Sequence, residues 1–142
     1  MNRGAAILTA GLVALVLSGA ALAGKPGSGG AVKSSGSLKL VLVAADGART
    51  SASAPTFADW ITYEVTTTAS EPYVETSCFQ NGKLVYKQSR GFFAGYYAGT
   101  QMYQLGPTQA WAGGAATCNA RLHEWVNGSD RTLSTTGFDV GA

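Results

Sequence analysis

This 142-residue chain offers conventional catalysis one histidine, two cysteines and eight carboxylates. A Ser-His-Asp hydrolase would have to use His123 as its base. No Gly-x-Ser-x-Gly elbow accompanies it, and the alternation of its segment sets it beside Arg121 on an outward face, so it reads as an exposed strand histidine. A zinc site needs more thiols or imidazoles than this chain owns. Glycoside hydrolysis needs a carboxylate pair, and no spacing among Asp46, Asp59, Glu64, Glu71, Glu75, Glu124, Asp130 and Asp139 selects one; they read as solubilising surface charge. Asn127, Ser129 and Asp130 offer oxygens of the kind Ca²⁺ takes, but Asn127-Gly128 is more simply a turn. No cofactor and no metal are expected.

The segment with a chemistry of recognition is Gly91-Phe92-Phe93-Ala94-Gly95-Tyr96-Tyr97-Ala98-Gly99. Aromatic pairs separated by glycine place large, rigid contact area on a loop, as surfaces that bind sugars or proteins do. Two readings stand. In one, Phe92, Phe93, Tyr96 and Tyr97 form a partner-binding loop; in the other, the rings fold back to plug the open edge of the domain, since four exposed rings would make an apolar patch that monomers avoid. Trp111, between Pro107 and Gly113-Gly114, reads as a core plug.

The elements that must position these residues are legible in the pattern. Arg3, the apolar run Ala5 to Leu17 and the small-x-small tripeptide Ala21-Leu22-Ala23 predict a signal peptide over 1–23 of bacterial type, and hence an exported, secreted chain without stable membrane insertion after cleavage. Residues 24–37, rich in Gly and Ser, predict a flexible tether. The single domain is expected over 38–142. Without Arg3 the ten basic residues fall to nine against eight acids, a balance that makes no electrostatic case for nucleic acid.

Leu38, Leu40 and Leu42 alternate, as do Ile61, Tyr63 and Val65, then Val74, Thr76 and Cys78, then Ala116, Cys118, Ala120 and Leu122. Asn81-Gly82 and Asn127-Gly128 separate strand-like runs and predict two-residue hairpins. A short strand is expected within Gln101 to Leu105 and a last one over Arg131 to Val140. In an oxidising compartment, the only two cysteines predict a Cys78–Cys118 disulfide, which closes about 40 residues and stabilises the fold by roughly 4 kcal/mol.

Seven short alternating strands, about 100 ordered residues and an inward cysteine in Gly114-Ala115-Ala116-Thr117-Cys118 resemble an immunoglobulin-like or fibronectin III-like antiparallel β-sandwich. Ala116 stands where the tyrosine corner places Tyr, and no Trp follows Cys78 closely. With Asp59 to Thr68 as second strand, Cys78 lies on the third, and the disulfide joins neighbouring strands of one sheet. The expected function is a secreted, non-enzymatic binding module for a protein or glycan partner at the cell surface. A spacer domain without its own ligand is the alternative, and a small secreted hydrolase the third reading.

Overall fold

The computed structural model describes residues 33–96 and 101–142, with no helix among them. The expected leader, most of the expected tether, and Tyr97 lie outside the described residues. Seven strands follow in chain order: β1 (Gly36–Val43), β2 (Trp60–Thr67), β3 (Tyr73–Gln80), β4 (Lys83–Gly91), β5 (Tyr103–Gln104), β6 (Ala116–Val126) and β7 (Ser129–Val140). They form two antiparallel sheets, β1-β2-β5 and β4-β3-β6-β7, so the chain changes sheet after β2, β4 and β5. The expected antiparallel β-sandwich of seven strands with one disulfide is the fold.

The inward faces are the ones that the alternation predicts. Ile61 and Tyr63 on β2, Val74, Thr76 and Cys78 on β3, and Ala116, Cys118, Ala120 and Leu122 on β6 are buried, because successive side chains point to opposite faces of a strand. Trp111 is a core residue, as expected: its indole N–H donates to the Gly114 carbonyl at 3.0 Å, and its ring meets Phe57 edge-on at 5.4 Å. Two buried phenols also find partners, as buried polar groups must. The Tyr63 hydroxyl meets that of Thr76 at 2.8 Å, and that of Tyr103 donates to the Val74 carbonyl at 2.7 Å. Burial pushes both phenols above the ordinary tyrosine range.

Both hairpins turn as the sequence predicts. Asn81 and Gly82 have φ of 50° and 77°, Asn127 and Gly128 of 51° and 78°, the paired positive angles of a type I′ turn. Cys78 faces Cys118 in the β3–β6 register, and the two are bonded with their Cα atoms 4.0 Å apart. The bridge lies within one sheet.

Two details depart from the expected boundaries. β1 begins at Gly36, two residues before the expected domain start, where it pairs with Thr67; a Cβ there would stand 2.6 Å from a Leu122 methyl, so the approach of β1 to β6 requires glycine. Val41 and Val43 are buried alongside the partly buried leucines of β1, at the end where the following loop returns to bridge Val43 with Arg49.

Candidate functional site

Gly91 ends β4 opposite Tyr73 of β3, and the aromatic segment divides immediately after it. Phe92, tied by its N–H to the Pro72 carbonyl at 2.8 Å, sends its ring to the inter-sheet core, edge-on to Tyr63 at 6.3 Å. Phe93 goes to the outer face of the four-stranded sheet and stacks edge-on against Tyr73 at 5.6 Å. Tyr96 follows, 5.5 Å from Phe93, while Ala94 and Gly95 between them are exposed. A Cβ on Gly91 would lie 2.5 Å from Tyr96 and 2.6 Å from Phe93. Glycine at this position is therefore what lets both rings settle on the sheet.

The structure overturns the reading of His123 as an exposed strand histidine. The alternation is intact, since His123 lies opposite Tyr73 in the β3–β6 register, with their ring centroids 5.9 Å apart. Yet the residue is only 5% exposed. Its Nδ1 meets Asp130 Oδ1 at 2.9 Å, while Nε2 is buried without a hydrogen-bond partner. Pairing with an ionised carboxylate calls for a proton on Nδ1.

Asp130 is the hub of a small charged network. Its Oδ2 receives Arg121 at 2.8 Å; Arg121 also approaches Glu75 at 3.7 Å, which holds Lys87 at 3.1 Å. Desolvation tends to raise the Asp130 carboxyl, but the Arg121 hydrogen bond and the pairing with His123 outweigh it and hold the group below the usual carboxylate range. Both Asp130 oxygens thus serve these side chains. Glu124 departs from the surface-charge reading too: it is buried and bonded to Arg131, its partner across the β6–β7 hairpin.

Sequence reasoning passed over Trp125. Two residues beyond His123, at the same end of the outer face, it is 61% exposed, the most exposed of the large apolar side chains described. Its signal was available: alternation puts Trp125 on the same outward face as Arg121 and His123. Further along the same face, Glu75, Ser77, Phe79, Asn119, Arg121 and Thr135 line a shallow groove of about 340 Å³. The outer face therefore carries rings at one end and mixed polar groups at its middle. Of the four residues expected in a binding loop, Phe93 and Tyr96 come together there, Phe92 goes to the core, and Tyr97 is outside the described residues.

No protein-family model, curated protein or solved structure matches this chain.

Proposed function

We propose that the chain is an exported, non-enzymatic binding module of immunoglobulin-like or fibronectin III-like build, which captures a protein or glycan partner on the outer face of β4-β3-β6-β7. The strand order supports that build: in immunoglobulin lettering, β1-β2-β5 corresponds to strands A, B and E, and β4-β3-β6-β7 to C′, C, F and G. The disulfide departs from it, joining the C and F positions rather than B and F. Its presence suits an oxidising compartment.

The observation that carries the binding reading is Trp125, 61% exposed on β6 two residues beyond His123, whose strand partner Tyr73 carries the half-buried Phe93. Tryptophan and tyrosine at the centre of a recognition surface supply most of the affinity at small entropic cost. Trp125→Ala should weaken capture on an array of cell-envelope glycans and secreted proteins by more than about 1 kcal/mol while leaving the melting temperature unchanged. Phe92→Ala provides the contrast, with a loss of roughly 3 kcal/mol in stability for a ring in the core. A chain that captures nothing on the array is a spacer rather than a binder, and one that binds equally well without Trp125 does not bind through this face.

A further inference from the structure

The opposite side of β4 carries a separate feature. β4 is an edge strand, paired with β3 alone, and its register sets Tyr86, Gln88 and Arg90 against Cys78, Thr76 and Val74, the last three wholly buried. Edge strands of a sandwich fill such inward positions with apolar side chains. Here Gln88 and Arg90 instead line a cleft of about 290 Å³ together with Trp60, Tyr86, Gln104 and Thr108, at the small end of the range for ligand pockets, roughly 300–1,000 Å³.

Arg90 is underemployed. None of the ion pairs among the described residues includes it. Its guanidinium rests over the Tyr103 ring at 5.6 Å, and its Nε–H is shut off from water without an acceptor. The Tyr86 hydroxyl donates to Gln88 Oε1 at 2.8 Å, which fixes the amide and leaves its N–H groups to the cleft. Gln104 contributes a second amide, whose Nε2 also donates to the Ala58 carbonyl at 3.5 Å and whose oxygen accepts no hydrogen bond among the described residues, and Trp60 contributes an aromatic wall.

We propose that this cleft binds an acidic sugar, a pyranose bearing a carboxylate. A planar guanidinium matches a carboxylate through paired N–H donors, two amides match ring hydroxyls, and an aromatic wall accepts the apolar face of the ring. A neutral sugar leaves Arg90 without its anion, and inorganic phosphate leaves the wall unused. The site is independent of the Trp125 surface, from which the sheet itself separates it. An inward charge on an edge strand also discourages edge-to-edge association, and the test must distinguish the two roles.

The matched probes are methyl glucuronide and methyl glucoside, which differ only in the carboxylate, with inorganic phosphate as a second control. They are titrated into the disulfide-bonded protein while the Arg90 Nε–H resonance and tryptophan fluorescence are followed. The glucuronide should shift the Arg90 signal saturably, with the glucoside and phosphate at least tenfold weaker. Gln88→Ala and Arg90→Gln, each checked by melting, should weaken the glucuronide at least tenfold. An Arg90 signal in the unaltered protein that does not respond overturns the proposal whatever the variants do, as does equal binding of glucuronide and glucoside, or of phosphate. Aggregation of Arg90→Gln alongside a silent unaltered protein assigns Arg90 to edge protection instead.

Discussion

Asp130 accepts from Arg121 and His123 at once, and the sign of its effect on stability follows from that. The fold lowers its pKa from the ordinary 3.8, so the folded state favours the ionised form. The stability this contributes is in place above about pH 4 and is lost as the pH falls through the lower, folded value. Asp130→Asn should cost no more than about 1 kcal/mol at pH 7, because the residue stands at the exposed start of β7 and the amide oxygen still accepts. Urea melts at pH 7 and pH 3 check this: the gap between the two proteins should shrink at the lower pH, and a gap that widens would mean the carboxylate is not the stabilised species. The neighbouring His123 marks where reading from sequence stops. Its face followed from alternation, but the ring is flanked by Tyr73 of β3 and Asp130 of β7, and nothing local to β6 encodes that. Phe92 and Phe93 teach the same lesson. Their side-chain type is identical, and only the position of Gly91 opposite Tyr73 decides which ring enters the core.

Elements were legible where the pattern is local. The inward faces of β2, β3 and β6 follow from period-two spacing, and both hairpins from Asn-Gly, whose backbone preferences are intrinsic. The start of β1 was not, because Gly36 answers to Leu122, which lies far along the chain. The Glu124–Arg131 pair was missed as well, since opposite charges across a hairpin become neighbours only once the register is known. The loop before β2 carries a local conflict of its own. Ala58 has a φ of 71°, a left-handed conformation that costs a residue with a Cβ roughly 1–2 kcal/mol. It is held there by its N–H to the Leu105 carbonyl at 2.8 Å and by the return bond from Leu105 N–H to Asp59 at 2.9 Å. Ala58→Gly should therefore raise stability by about 0.5–1 kcal/mol, after allowing for the extra freedom of glycine in the unfolded chain. Thermal denaturation reads the change directly, and a fall in melting temperature would show that the alanine methyl makes a contact worth more than the strain.

At the scale of the whole molecule, the two sheets meet around Tyr63, Tyr103 and Trp111, and their outward and edge surfaces divide the proposed roles between them. The covalent link takes no part in joining the sheets. It ties β3 to β6 in the middle of one sheet, and this gives the domain a mechanical property. A force applied between Gly36 and Ala142 can peel away β1, β2 and β7, but it cannot lengthen the chain between the two sulfurs, 40 residues apart in sequence. At about 3.4 Å per extended residue, roughly 140 Å of contour is withheld. Single-molecule stretching should give an unfolding step shorter by about that length in oxidised protein than in reduced protein; equal steps would mean that the bridge does not bear the load. A domain that carries a partner on one face while suspended by its ends would then yield under shear by a fixed, limited amount, with reductant acting as the release for the remainder.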